Sequence, residues 1–329
     1  MQLTDRLTAK VSSDILTKAR LNKGKTWLWA IFRLFLFIGI GYVILYPILY
    51  MLSTTFRSDA DILDPSIVWI PKHFSLNNIK QAFDVMEYPK ALANTAGINM
   101  VAALLQVAVT SVVGYGFARY KFRGRSLLFG LVLFTIIVPP QTTMIPMFLK
   151  FSNFDVLGIA ELTRTIFGME GQVKLINTPF VMYLPALFGM GIRSGLFIFI
   201  FRQFYRGMPG ELEEAALIDG CGAVRTYFRV MLPNARSSMI TVFIFSTVWH
   251  WNDYFVPAVF SETRQTVATA LASLRSTLER LATQNGSDQL MVQVQVQAGA
   301  LLAIAPMLVL FIVAQRYFTE GIERSGIVG

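Results

Sequence analysis

Charge is scarce in this sequence, and so are the side chains that usually carry out chemistry. Only 15% of its 329 residues are Asp, Glu, Lys or Arg, against about a quarter in an ordinary soluble domain. A single cysteine, Cys221, excludes an intrachain disulfide and any multi-thiolate metal site. Two histidines, His73 and His250, are too few for a His-rich metal centre. No internal repeat is visible, which argues against a transporter built from duplicated halves. A membrane enzyme would need converging acids, bases or ligands within its apolar stretches. Only Arg193 and Asp253 qualify there, and they lie far apart in the chain.

What the sequence does have is apolar length. Hydrophobic residues make up 54% of the chain and the mean hydropathy is +0.53. A run of about 20 apolar residues crosses the hydrocarbon core as a helix. Six runs qualify, at about 27–52, 94–118, 126–149, 180–201, 238–260 and 297–317. They predict an all-α, polytopic membrane protein, with residues 1–26 as a polar N-terminal segment, 27–318 as one transmembrane domain and 319–329 as a tail. The first run is too long for a signal-peptide core and leads into no small-residue cleavage site, so it reads as a retained span.

The net charge of +9 has a topological meaning. Arg6, Lys10, Lys18, Arg20, Lys23 and Lys25 precede the first run, and Arg119, Lys121, Arg123 and Arg125 crowd the link between the second and third. Arg202, Arg206, Arg225, Arg229 and Arg236 lie between the fourth and fifth. Residues 54–93 dilute Arg57, Lys72, Lys80 and Lys90 with Asp59, Asp61, Asp64, Asp84 and Glu87. Basic loops stay in the cytoplasm, so both termini and those two links are predicted inside. The basic residues flank apolar runs and form no stripe interleaved with aromatics, which argues against a nucleic-acid partner. Lipid is the surrounding partner.

Pro47, Pro139, Pro140, Pro146, Pro185, Gly189 and Gly191 interrupt the runs. Backbone groups freed there must be satisfied by neighbouring helices or by water in a cavity.

The link between the fourth and fifth runs holds the most specific pattern, over 207–233. Pro209 can open a helix and Gly220 can close one in a left-handed turn. Glu211, Glu213 and Glu214 sit in its first turns, where negative charge suits the helix dipole. Leu212, Ala215, Ala216 and Asp219 share a face by three- and four-residue spacing. A second short helix fits 223–231, with Val224, Phe228 and Met231 as its apolar stripe, Arg225 and Arg229 beside them, and Pro233 ending it. Such a helix–turn–helix suits docking into a groove on another protein, or simply caps the bundle.

Glu214, Ala215, Ala216, Gly220, Leu232 and Pro233 together resemble the "EAA" loop of ABC-importer permeases. The stretch Glu211–Gly220 is similar to the carbohydrate-uptake branch, in particular the smaller permease of maltose/maltodextrin importers. Asn94-Thr95, Val138-Pro139, Ile145-Pro146-Met147, the Trp249–Pro257 stretch and the end from Gln315 match the same pattern. The resemblance implies a six-helix permease that works by alternating access and performs no covalent chemistry. It implies a second homologous permease as heterodimer partner, two ATPase subunits that carry ATP and Mg, and an extracytoplasmic substrate-binding protein, with no cofactor on this chain. It also implies that the loop docks in a cleft of the ATPase, with Glu214 pairing a basic residue there, and places the protein in a bacterial cytoplasmic membrane. Residues 159–174 and 261–296 depart from the pattern as extra outer-side segments. The motif Gly24-Lys25-Thr26 is no nucleotide site, because the first glycine of a P-loop would fall at Ala19 and no buried strand precedes it.

An ionisable residue inside a span usually faces a cavity or a partner. Arg193 and Asp253 are therefore candidates for a substrate pathway, with Trp249, Asn252 and Tyr254 around Asp253 and Asn94 and Asn99 as weaker members. Aromatic faces and hydrogen-bonding side chains suit a sugar; an interfacial aromatic belt and helix-packing bonds account for the same residues. His250 reads as a satisfied interfacial histidine. A secondary transporter or channel for a small polar solute is the alternative, and it would leave the Glu214 loop without a purpose.

Overall fold

The structure is a computed structural model that describes residues 2–155, 174–261, 263–286 and 288–325, with side chains between 26 and 315. Among these residues the regular structure is helical, apart from one isolated bridge between Arg57 and Phe74. The chain divides into a unit Met1–Leu76 and a unit Asn77–Gly329.

In the first unit α1 (Gln2–Thr55) runs straight through Pro47. Residues 2–26, expected as a separate polar segment, continue the same helix. The following loop holds α2 (Asp59–Leu63), whose N-cap Ser58 accepts the Asp61 amide. The Asp61 carboxylate in turn accepts the His73 backbone N–H and ring Nδ1, each at 2.8 Å, and these bonds hold that carboxyl below the usual range. Bonds from Ser66 and Lys72 likewise hold Asp64 down to about 2.

The second unit is built on α4 (Tyr88–Arg119), which follows α3 (Asn77–Val85). Thr95, Ala102, Gln106, Thr110 and Gly114 are buried along it at helical spacing. Gly114 is where α4 meets a neighbour most closely, since a Cβ there would stand 2.5 Å from the Phe201 Cβ. The third apolar run breaks into α5 (Arg125–Ile137), a 3₁₀ turn Pro140–Thr143 and α6 (Met144–Ser152), bent by 101°. Two successive prolines supply no N–H and push Val138 out of the helical region.

The fourth run breaks as well, into α7 (Phe180–Leu187) and α8 (Ser194–Gly207). Between them Gly189 (φ 69°) and Arg193 (φ 59°) take left-handed conformations that no helix accommodates. The loop beyond α8 carries α9 (Glu211–Ile218), α10 (Ala223–Thr226), a π turn over Tyr227–Met231 and α11 (Leu232–Asn234). Then α12 (Arg236–Asn252) stops at Asp253, and α13 (Phe255–Phe260) completes the fifth run. Continuous spans over 126–149, 180–201 and 238–260 are thereby replaced by broken ones.

Residues 261–296 fold mainly as α14 (Val267–Asn285), opened by a Thr266–Thr269 capping box and closed by Gly286 in a left-handed turn. Its Val267, Ala270, Leu274 and Leu278 pack with Ala82, Met86, Trp251 and Ala298. The departure at 159–174 lies, except for Lys174, outside the described residues. Finally α15 (Gln289–Ser325) extends well past the predicted 297–317 at both ends. The side chains of the 319–329 tail, and the whole of 326–329, lie outside the described residues. Among the described residues, three unbroken helices, 26–55, 88–119 and 289–315, are long and apolar enough to cross a membrane, and the bent α5–α6 pair makes a fourth if it counts as one span.

Candidate coupling loop and intramembrane polar residues

The loop after α8 begins with a clasp. Arg119, the last residue of α4, donates from Nη2 to the Met208 carbonyl at 2.7 Å, and its Nε stands 3.6 Å from Glu213 Oε2. The Tyr115 hydroxyl, one turn earlier on α4, donates to Glu213 Oε1 at 2.7 Å. Glu213 is thus held inside the chain, whereas Glu211 and Glu214 are exposed on the same helix. Helix α9 starts at Glu211 with Gly210 as its N-cap, two residues later than a start at Pro209. It closes in a Schellman motif: Cys221 N–H donates to Ala216 O at 2.9 Å and Gly220 N–H to Leu217 O at 3.0 Å. Gly220 takes the required left-handed φ of 76°. Of the face expected from spacing, Ala216 is buried and Leu212 half-buried, but Ala215 and Asp219 are exposed.

The second arm differs from its sequence pattern. Tyr227 and Met231 are buried, while Val224 (72% exposed) and Phe228 (58%) face outward. The π turn is the reason, because one extra residue per turn rotates every later side chain relative to an α-helical count. Pro233, expected to terminate this helix, lies instead in the first turn of α11. There its missing N–H goes unmissed.

Sequence reasoning also missed what holds this arm. The Ser111 hydroxyl bonds both Tyr205 Oη at 2.8 Å and Tyr227 Oη at 2.9 Å. The rings of Tyr115, Tyr205 and Tyr227 pack with centroids 5.0–6.4 Å apart. Ser111, Tyr115 and Arg119 follow one another at four-residue spacing on α4, a legible stripe whose partners are far away in sequence. The outward surface carries Leu217, Ile218 (86% exposed), Val224 and Phe228, ringed by Glu211, Glu214 and Arg225.

A second constellation lies at the break before α8. Arg193 is not inside a continuous helix but at the N-cap of α8, with its guanidinium carbon 5.5 Å from the Trp249 ring centroid. Beneath it, buried Gln106 donates to the Ile192 carbonyl at 2.6 Å and to Ser194 Oγ at 2.7 Å, and accepts from Ser246 Oγ at 2.6 Å. This network joins the break to α4 and α12. Gln106 and Ser246 were not anticipated.

The predicted aromatic cluster disperses. Trp251 is buried and donates to the Ala303 carbonyl at 3.1 Å. Asn252 is exposed and bonds its own helix at Val248 O. Asp253 Oδ1 accepts the amides of Phe255 and Val256, capping α13, and Tyr254 packs edge-on to Phe255. His250 Nδ1 donates to the Ser246 carbonyl at 2.8 Å. Asn94 ties α4 to the Gln265 carbonyl. Asn99 is buried on α4, and neither side-chain polar atom has a hydrogen-bond partner among the described residues. Arg193 and Trp249 are brought together; Asn94, Asn99 and Asp253 stand apart from them in their bonding.

The family described as "binding-protein-dependent transport system inner membrane component" matches residues 110–324. The arabinooligosaccharides transport system permease protein AraQ of Halalkalibacterium halodurans is 29% identical over 89% of this chain and 94% of its own length. The melibiose/raffinose/stachyose import permease protein MelC of Bacillus subtilis is 28% identical over 86% and 91%. The lactose transport system permease protein LacG of Rhizobium radiobacter is 26% identical over 87% and 92%. Among solved structures, a chain of a bacterial ABC transporter involved in the import of the acidic polysaccharide alginate superposes with a TM-score of 0.68. It shares 19% identity and covers 88% of this chain and 96% of its own, which establishes the fold.

Proposed function

The chain belongs to the binding-protein-dependent transport system inner membrane components, and from that premise we propose that it is the translocation subunit of an ATP-driven importer for a sugar or oligosaccharide. The substrates its relatives are named for, arabino-oligosaccharides, lactose and the melibiose–raffinose–stachyose group, support that substrate class. Its partners are a second homologous permease, two ATPase subunits and an extracytoplasmic binding protein. ATP and Mg sit on the ATPases, and this chain binds no cofactor. Both termini and the 207–233 loop lie on the cytoplasmic side of the bacterial cytoplasmic membrane.

One observation carries this reading: the loop is pinned on its inner side and bare on its outer side. Ile218, Val224 and Phe228 expose an apolar surface that no other described part of the chain covers. Apolar area of that kind at a protein surface marks a partner contact. A secondary transporter would have no use for it. When the ATPase pair closes on ATP, a push on α9 reaches α4 through Glu213, Tyr115 and Arg119. A push on the second arm reaches α4 and α8 through Tyr227, Ser111 and Tyr205. Both routes end on helices that border the break at 188–193. Arg193 and Trp249, with Asn252, Asp253, Tyr254, Asn94 and Asn99 on neighbouring segments, are the candidate contacts along the solute pathway.

The test is ATP hydrolysis in proteoliposomes holding the whole importer, with loaded binding protein added. Glu214→Ala is expected to cut the stimulated rate by about tenfold, a loss of about 1.4 kcal/mol, while the complex stays assembled. Equal stimulation in both proteins would sink the docking role. Solute movement by this chain without any ATPase would replace the importer by a secondary transporter.

A further inference from the structure

The loop and the break leave one strongly charged feature unused. A cleft of about 430 Å³ lies where the link between α4 and α5 meets the end of α8. Lys121, Arg125, Arg202 and Arg206 line it, with Phe122 and Leu127 on its rim, and no acidic residue contributes to the lining. Four cations in one concavity repel one another unless an anion joins them. The arrangement is built rather than incidental at Arg202. Its guanidinium carbon stacks 3.9 Å from the Phe129 ring centroid, and Phe129 is itself buried against Phe117 and Phe199. The Arg202 Nε is buried without a hydrogen-bond partner among the described residues. Arg125 is oriented by donating from Nη1 to the Tyr120 carbonyl at 3.2 Å.

What kind of anion fits follows from the rim. Leu127, Leu131 and Phe134 stand at positions i, i+4 and i+7 of α5, so they share one face, and all three are exposed. This apolar row starts at the cleft and runs away from it along a helix. A ligand with a negative head and an apolar tail matches both parts, whereas an acidic protein segment or inorganic phosphate matches only the first. The geometry points to a binding site for the phosphodiester of an anionic glycerophospholipid, its headgroup in the Lys121–Arg125–Arg202–Arg206 cleft and its acyl chain along Leu127, Leu131 and Phe134. Basic pockets beside membrane helices bind anionic headgroups by this logic. The site is independent of which solute is carried. It assigns a ligand to charges that otherwise set topology alone.

Native mass spectrometry of the assembled importer in a neutral detergent tests the site. Dioleoylphosphatidylglycerol is titrated in, with dioleoylphosphatidylcholine and inorganic phosphate as separate arms. Wild type is expected to retain one more phosphatidylglycerol per copy of this chain than Arg202→Gln/Arg206→Gln. Each cation removed should weaken retention about fivefold. The exposed pair Lys121→Gln/Arg206→Gln, which leaves the Phe129 stack intact, should weaken it similarly and so separates headgroup binding from misfolding. Phosphatidylcholine and millimolar phosphate should leave the retained lipid in place. Equal retention in wild type and both variants overturns the site. Displacement by inorganic phosphate would make it a plain anion site, and loss of the ATPase from the variants with unchanged lipid counts would make the cleft a protein contact. Either result also overturns the proposal.

Discussion

The 207–233 loop and the 188–193 break are both irregular stretches next to α4, yet they are bonded in opposite styles. The loop is secured by side chains at several points: Arg119, Tyr115 and Ser111 each reach across to Met208, Glu213, Tyr205 or Tyr227. The side-chain hydrogen bonds that tie the break to other helices run through one residue, Gln106, which bonds Ile192, Ser194 and Ser246. The break's other bonds are local backbone turns such as Met190 N–H to Pro185 O and Ser194 N–H to Gly191 O. Above Gln106, Arg193 is exposed and held over Trp249 by a ring contact. A stretch fixed at many points moves as a unit and transmits displacement. A stretch fixed at one point can rearrange when that point lets go. On the proposed reading, the contrast gives stiffness to the end that would meet the ATPase and adaptability to the end that would lie beside the solute.

The largest effect should come from the packing of α4 on α8, the helix that joins the two regions. Gly114 lies between the Ser111–Tyr115 stripe and the packing of α4 on α8. A valine there must displace the Phe201 Cβ and the α8 backbone. Overpacking of this kind costs about 1–3 kcal/mol or more. Gly114→Val should lower the thermal midpoint of the purified importer and abolish transport; a wild-type midpoint would show that the two helices are free to separate.

Next in size is Gln106→Leu, which takes the side-chain partner from Ser194 and the half-buried Ile192 carbonyl, while Ser246 keeps His250. The net loss should be about 1–3 kcal/mol, without the transport block expected of Gly114→Val. Hydrogen exchange at 188–195 should speed up while exchange at 211–231 stays at its wild-type rate. Acceleration in both stretches would mean that the regions are not separately held.

Tyr227→Phe keeps the ring and removes one hydroxyl, at about 1 kcal/mol. The importer should still assemble and hydrolyse ATP, but solute moved per ATP should fall. If that ratio is unchanged, the second arm transmits nothing. The smallest stability effect belongs to Arg193→Gln, about 0.5–1 kcal/mol for an exposed cation–π contact. Its readout is the concentration dependence of transport, which should shift while binding-protein-stimulated ATPase activity does not.

How much of this was legible in the sequence follows from which interactions are local. Helix α9 was readable because its signals are its own: acids in the first turn and a glycine where only a left-handed residue closes the helix, although the face expected from spacing held only at Leu212 and Ala216. The second arm was misread because a π turn leaves no local mark. The count from Val224 to Phe228 to Met231 is sound for an α-helix and wrong by one residue here. The breaks in the third and fourth runs were signalled by Pro139-Pro140 and by Pro185 with Gly189, yet hydropathy sums across breaks and saw continuous runs. The break at Asp253 in the fifth run was not anticipated. Arg193 and Trp249 could not be paired from a separation of more than fifty residues. Gln106 is the clearest miss. It is a polar residue in an apolar run whose partners come from two other helices, so nothing near it in sequence declares its role.

The clasp at Arg119 has a consequence for the kinetics of assembly. Its guanidinium closes the start of the loop at Met208 before any other subunit arrives, and Glu213 and Tyr227 fix the rest. The conformational entropy of ordering these residues is therefore lost during folding of the chain and, if the loop docks as proposed, not at the encounter with the ATPase. Association can proceed as rigid docking of a preformed surface. Variants that loosen the clasp without touching the exposed face should reveal themselves first as slower association.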